Sequence, residues 1–388
     1  MASAVRTSQA AIQSSGTIIH GWWNVDGTSI KDEYGNTVRL QGVNIMFYCP
    51  VSWWQGKLQT MFNSKLEALG INVIRIDTQM AYFPKYSADM DWIVNWCKQR
   101  NIKVIINLHH LPPEPTNWPF PPSIPDGWFD NKTAGDEWIQ WWKNVVSHYK
   151  NEPTVIGIGL LNEPHGNNFN KTTFIEWDAR AKECIRQVKA VNPHIIPFVS
   201  GWWADTAWSN NWSNNNIPFF QQDPDFQYDA VFEIHLYPYY VFYDGYAATR
   251  NSSFVKYSFV KYYLEGNYQK GYEEMQKTLE DPVSGPNWAG HEGIYGLDEL
   301  PIAVGEIGYD PGAEQLTNGS FPNAVQQQMT LDLIKLLNKH QLGYAAWVWM
   351  TLTPVNNGDR LDLVGPSPTY QESWMYNILK QNLNSGGS

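Results

Sequence analysis

Eight short apolar runs recur along the chain, spaced so that a helix fits between most of them. They read RLQGVNI, NVIRID, KVIINLHH, VIGIGLLNE, IIPFVSG, AVFEIH, PIAVGE and YAAWVW, and their length and composition predict buried strands. The segments between them carry apolar residues at helical spacing. KLQTMFNSKLEALG closes on a glycine stop, and GDEWIQWWKNVVSHY places Trp138, Trp141 and Trp142 on one face, where core burial is expected. TTFIEWDARAKECIRQVKAVN and NAVQQQMTLDLIKLLNKH follow the same pattern. Ahead of the first run, residues 16–39 read as two short strands, with turns at Asp26-Gly27 and at Tyr34 to Asn36.

Strands alternating with helices, with no internal linker and no second composition regime, predict an α/β fold of the (β/α)8 TIM-barrel type. Residues 16–382 then form one domain, with flexible tails at 1–15 and 383–388. A doubly wound sheet is the rival, but it normally opens with a glycine-rich phosphate turn. GIGLLN only approaches that motif, because Asn162 stands where the third glycine belongs and the segment lies within a strand.

Composition narrows the partners. The 388 residues carry 38 acids against 27 bases, a net charge of -11, which argues against nucleic acid and anionic membranes and suits a neutral substrate. The 20 Trp, 21 Tyr and 16 Phe fall partly in Pro-, Gly- and Asn-rich stretches, where aromatic faces mark a binding surface. Cys49, Cys97 and Cys184 are too few for a disulfide framework, and the latter two are expected to be buried thiols. Sequons at Asn131, Asn170, Asn211, Asn251 and Asn318 carry little weight in a chain so rich in Asn, Ser and Thr. No run is long and apolar enough to span a membrane, and the first residues lack the regions of a signal peptide.

In a parallel barrel, catalytic groups collect at the C-terminal strand ends. Those ends carry Arg75, His109, Asn162, Glu163, His235, Tyr237, Glu306 and Trp349. A core would place Val, Ile and Leu there. Polar residues at the same rim on strand after strand predict a site instead. Two glutamates across a cleft meet the needs of glycosidic hydrolysis. One enters protonated and gives its proton to the leaving oxygen, while the other is ionised and attacks the anomeric carbon or activates water. Arg75 and Tyr237 can hold a carboxylate ionised, and Asn162 can bond a sugar hydroxyl.

These motifs together resemble glycoside hydrolase family 5. They are the LLNEP strand end, VGEIG, the arginine of NVIRI, NLHH and the His-x-Tyr of EIHLY. LNEPH and KNEPTVIGI are similar to its cellulase branch, and DGTSIKDEYGNTVRLQGVN resembles the segment that plugs those barrels. The resemblance spans residues 16–380. It implies Glu163 as acid/base and Glu306 as nucleophile of a retaining double displacement, with Arg75 and Tyr237 orienting Glu306. It further implies that Asn162 binds the 2-hydroxyl, that His109 and His235 complete the subsite, and that a tryptophan lies under the scissile sugar. Trp349 is favoured for that place by spacing and Trp347 is the alternative. His109 is preferred to His110 because alternation sets it on the side of Ile105 and Asn107. Trp118, Phe120 and Trp128 after the third strand, and Trp202, Trp203, Trp208 and Trp212 after the fifth, are candidates to stack on further sugar rings.

Other chemistries fit less well. There is no H-E-x-x-H, no Cys/His cluster and no H-x-H on the first strand, so no metal and no cofactor is expected. A G-x-S-x-G elbow is missing too. A polysaccharide-binding protein on a retired scaffold would have lost a carboxylate or its partners, and both remain. The expectation is a secreted, monomeric, retaining endo-β-glycanase, an endo-β-1,4-glucanase acting on cellulose-like polymer. β-Mannan, xyloglucan, xylan and β-1,3-glucan stay open, as does transglycosylation.

Overall fold

The computed structural model describes residues 21–47, 62–111, 132–164, 171–200, 229–236, 258–280, 301–308, 321–347, 351–352 and 374–383. Three short strands come first, β1 (Asn24–Asp26), β2 (Ser29–Lys31) and β3 (Thr37–Val38), forming a small antiparallel sheet. The sequence predicts two strands here; the second turn, held by backbone bonds to the Asp32 side chain, allows a third. Eight parallel strands follow: β4 (Gln41–Phe47), β5 (Val73–Gln79), β6 (Lys103–His110), β7 (Val155–Gly159), β8 (Ile196–Ser200), β9 (Val231–Leu236), β10 (Ile302–Ile307) and β11 (Gly343–Ala346). Each pairs with the next, and β11 pairs back onto β4, closing the barrel. A two-residue strand, β12 (Thr351–Leu352), adds to β4. This is the expected (β/α)8 architecture.

The described helices are α1 (Ser87–Lys98), α2 (Lys132–His148), α3 (Lys171–Val191), α4 (Ser258–Leu264), α5 (Tyr268–Glu280), α6 (Asn323–Lys339) and α7 (Trp374–Leu383). The helix expected over 57–70 is irregular where described. A π turn at Phe62–Leu66 runs into a 3-10 turn at Glu67–Leu69, which stops at the left-handed Gly70. Trp138, Trp141 and Trp142 are buried together as predicted. Their indoles also fasten the barrel. Trp138 and Trp142 both donate to the Leu160 carbonyl at 3.2 and 3.0 Å, and Trp177 donates to the Ser200 carbonyl at 3.2 Å. Each ring buries a large apolar area while its N–H satisfies a carbonyl where a strand ends. Cys97 and Cys184 are buried free thiols, as expected, and Cys49 lies outside the described residues.

Two apolar layers result. The larger one lies between the barrel wall and the helices. The smaller fills the lower barrel, where Val73, Ile105, Ile196, Phe198, Val231 and Ala303 meet Trp23, Val25 and Ile30 of the hairpin. The hairpin therefore plugs the bottom, and the lower barrel is a packed core. Above this floor, period two carries the inward face of each strand to its next residues. These are Arg75 and Asp77 on β5, Asn107 and His109 on β6, and Glu233 and His235 on β9. The residues the sequence places at the rim thus continue a polar layer that begins deeper inside.

Candidate active site

Arg75 is the hub of that layer. Its side chain is 1% exposed, so its two terminal nitrogens rely on protein partners. Nη1 faces Asp77 Oδ1 at 2.7 Å, Asn44 Oδ1 at 2.8 Å and Glu306 Oε1 at 3.2 Å. Nη2 donates to Glu233 Oε1 at 2.5 Å and to Asn162 Oδ1 at 2.8 Å. One guanidinium thus serves three buried carboxylates. Asn107 ties the layer across by donating to Asp77 at 2.8 Å and to Asn162 at 3.3 Å.

Glu306 reaches this cluster because β10 is irregular. Val304 pairs with Ile234, but Glu306 rather than Gly305 pairs with His235, so one extra residue is inserted. The bulge shifts the alternation and turns Glu306 inward beside the inward Gly305, a common use of bulges at binding sites. Gly305 is required there, since a methyl group would collide with the Glu233 carboxyl. Gly305→Ala should therefore lower stability by roughly 1–3 kcal/mol, read as a drop in thermal midpoint. An unchanged midpoint would mean that this packing is loose.

Glu163 ends β7 differently. The ladder continues past Gly159 through bonds from Leu160 N to Phe198 O and from Asn162 N to Leu108 O, at 3.0 and 2.8 Å. The chain then turns sharply, with Glu163 in the left-handed region at φ 42°. A glutamate rarely adopts this conformation, which costs on the order of 1–2 kcal/mol. The turn leaves Asn162 buried on Arg75 and Glu163 partly exposed at the mouth. Glu163 Oε1 lies 2.8 Å from His235 Nδ1, which is also 3.4 Å from Glu306 Oε2. Carboxylate oxygens of Glu163 and Glu306 lie within 4.8 Å of each other.

The electrostatics depart from the simple pairing read in the sequence. Burial pushes the Glu306 carboxyl above its ordinary value; His235 and Arg75 pull it back, while Glu163 pushes it further up. Burial also acts on Glu233, but the Arg75 charge and the His235 contact overcome it and hold that carboxyl at about 2. Arg75 does favour ionised Glu306, as expected, yet its charge is shared with Asp77 and most closely engaged by Glu233. The net direction at Glu306 is consequently upward.

Of the residues singled out in the sequence, Arg75, His109, Asn162, Glu163, His235 and Glu306 converge at one end of the barrel. His109 is buried, lies 3.5 Å from Asp77 Oδ1 and stacks on Trp347, with ring centres 5.1 Å apart and planes 15° from parallel. Trp347 thereby joins the site. Tyr237, Trp349 and the loop aromatics after the third and fifth strands lie outside the described residues. Sequence reading missed Asn44, Asp77, Asn107 and Glu233, because only strand ends were searched. For Asp77, Asn107 and Glu233 the signal was a position two residues from a residue already singled out, as in RID, NLH and EIH; Asn44 in GVNIM has no such neighbour. Oxygen or nitrogen atoms of Glu163, His235 and Glu306, and likewise of Asp77, His109 and Glu306, lie within 4.8 Å of one another. Both groups sit around the Arg75 cation, which makes them poor hosts for a second positive charge.

The fold is shared with solved structures such as a β-glucanase of Saccharophagus degradans, 18% identical over 94% of this chain and 93% of that one, with a TM-score of 0.58. In sequence the chain is similar to an endoglucanase of Paenibacillus polymyxa, 24% identical over 49% of this chain and 52% of the relative. Endoglucanase B of Acetivibrio thermocellus is 26% identical over 50% and 42%. The chain thus spans about half the length of the relatives it matches. Residues 31–352 match the family model for cellulases, glycosyl hydrolase family 5. The chain belongs to that family.

Proposed function

We propose that this protein is a retaining endo-β-glycanase that cuts internal bonds of a β-1,4-glucan, with Glu163 as acid/base and Glu306 as nucleophile. The observation that carries this reading is the close approach of the two carboxylates, within 4.8 Å. Retaining enzymes hold their carboxyl groups about 5–5.5 Å apart, whereas inverting ones leave about 6.5–9.5 Å for a water. Glu163 stands at the open mouth, where a leaving oxygen departs, and Glu306 lies below it against Arg75. In the first step Glu306 bonds to the anomeric carbon while Glu163 protonates the departing sugar. In the second, Glu163 takes a proton from water as that water displaces Glu306. Asn162, held by Arg75 and Asn107, is set to meet the 2-hydroxyl, and Trp347 on His109 offers an apolar face.

The relatives named as endoglucanases support a glucan substrate, and the Saccharophagus β-glucanase has been crystallised with cellotetraose. Secretion is part of the proposal, because a polymer of this size is met outside the cell and one relative is named a major extracellular endoglucanase. No described helix is long and apolar enough to cross a membrane. We take the working unit to be a monomer without cofactor.

The test is hydrolysis of soluble cellulose, mannan, xylan and β-1,3-glucan, following reducing ends together with viscosity. A steep viscosity loss on the β-1,4-glucan, lowered about 10²- to 10⁴-fold by Glu163→Gln, is expected. Preference for another polymer would redirect the substrate. Binding without cleavage on all four would favour the polysaccharide-binding alternative.

A further inference from the structure

Glu233 takes no part in the two steps just described, yet it lies buried directly beneath them. It precedes His235 by two residues on β9, so both side chains point into the barrel. Glu233 Oε1 is 3.4 Å from His235 Nε2 and 3.5 Å from Ser200 Oγ, besides its short bond from Arg75. The other imidazole nitrogen meets Glu163 at 2.8 Å. A carboxylate, an imidazole and a second carboxylate therefore form a chain from the floor of the site to its mouth. Resting on the catalytic reading above, we propose that Glu233 is a positioning residue that sets the tautomer of His235, so that Glu163 and His235 share one exchangeable proton.

Ionised Glu233 can only accept hydrogen bonds, so the nitrogen facing it must carry hydrogen. The Arg75 contact holds the Glu233 carboxyl down to about 2, so that it is ionised at neutral pH. With Nε2 protonated, Nδ1 offers either a lone pair or a second proton to Glu163. A lone pair 2.8 Å from an ionised oxygen would repel it, so one proton must lie between them, on the oxygen or on the nitrogen. Cleavage sends that proton to the glycosidic oxygen as its bond to the anomeric carbon breaks and the Glu306 ester forms. Glu163 and bare Nδ1 then face each other, and the pair is driven to take a proton from the incoming water as that water's oxygen displaces Glu306. One proton leaves and one returns, so the cycle balances.

The described charged and titratable groups around this chain are Arg75 and Asp77 from β5, His109 from β6, Glu163 after β7 and Glu306 from β10. Removing the Glu233 charge while keeping its shape favours the ionised form of Glu306 and the deprotonated form of the Glu163–His235 pair. Both limbs of the pH–rate profile should then move in the acidic direction, by about 1 pH unit.

The experiment uses the whole chain with ¹⁵N-labelled histidine, the His235 signals being those lost in His235→Asn. The wild type should show hydrogen on Nε2, and Glu233→Gln should change the His235 nitrogen shifts and move both limbs of kcat/KM acidic. A neutral His235 with hydrogen on Nδ1 alone would overturn the proposal, as would a Glu233→Gln variant that loses rate with both limbs in place. The nitrogen signals need no turnover, and unchanged signals from the other histidines show that each variant is folded. They decide the role of Glu233 even if no polymer is cleaved, an outcome that would count against the catalytic reading instead.

Discussion

Replacing Glu306 by Ala should reduce turnover by on the order of 10⁵-fold, with the fold retained. The reasoning joins chemistry to position. Glu306 is the carboxylate below the mouth, turned inward by a bulge and held 3.2 Å from Arg75, and the double displacement has no first step without it. Azide should restore much of the lost rate, because it can enter the vacated space and attack the anomeric carbon from the same side. The product would then have inverted configuration. Glu306→Gln should be equally inactive and unfold at or above the wild-type temperature. Burial raises the Glu306 carboxyl, so its ionised form costs stability at neutral pH, and an amide removes that cost. Near-normal turnover by either variant would sink the assignment.

Arg75→Met should be the most destabilising single change in the site. It leaves Asp77, Glu233 and Glu306 buried without their shared cation, a loss of about 3–5 kcal/mol. That is a large part of the roughly 5–15 kcal/mol of a folded domain. Its pH dependence has a definite sign. In the wild type, Glu233 is pulled down to about 2 from an ordinary 4.5, so its stabilisation is present at neutral pH and lost as the pH falls between those values. Without Arg75, burial dominates and the carboxyls are raised, so acid favours the folded form. Urea titrations of the two proteins should therefore differ most near neutrality and converge on acidification. Arg75→Lys should rescue little, since one ammonium cannot reach Asn44, Asp77, Asn162, Glu233 and Glu306 at once. A constant gap across pH would show that packing, not charge, sets the loss.

The sequence carried the fold because barrel strands are buried on both faces and read as short apolar runs, with amphipathic helices between them. The run KVIINLHH matches β6 residue for residue, and the three tryptophans of α2 lie where their spacing puts them. What escaped was local. The bulge before Glu306 depends on the register between β9 and β10, and no periodicity within one strand records it. The irregular turns at 62–69 likewise follow a helix-like pattern in the sequence.

The rim of the site was legible, and its floor was not. Glu163 and Glu306 stand out at strand ends, where apolar residues would otherwise be expected, and Arg75, expected at such an end, lies within its strand two residues below Asp77. Glu233 and Asp77 sit inside strands; Asp77 meets Arg75 through the alternation of their shared strand, whereas only the closed barrel brings Glu233 onto the same guanidinium across 158 positions of sequence. The distribution of one charge over three carboxylates is a property of that closure. It changes the expected behaviour of Glu306 from a simply lowered carboxyl to one raised by burial and held in check by its neighbours.

The most direct test of the central claim is covalent trapping. A 2-deoxy-2-fluoro cellobioside with a dinitrophenyl leaving group should inactivate the protein with time, because fluorine slows both steps while the good leaving group speeds only the first, so that the covalent intermediate accumulates. Peptide mapping should then find one fluorosugar on Glu306. A label on Glu163 or Glu233, or turnover of the reagent to an inverted product with no label, would contradict the account.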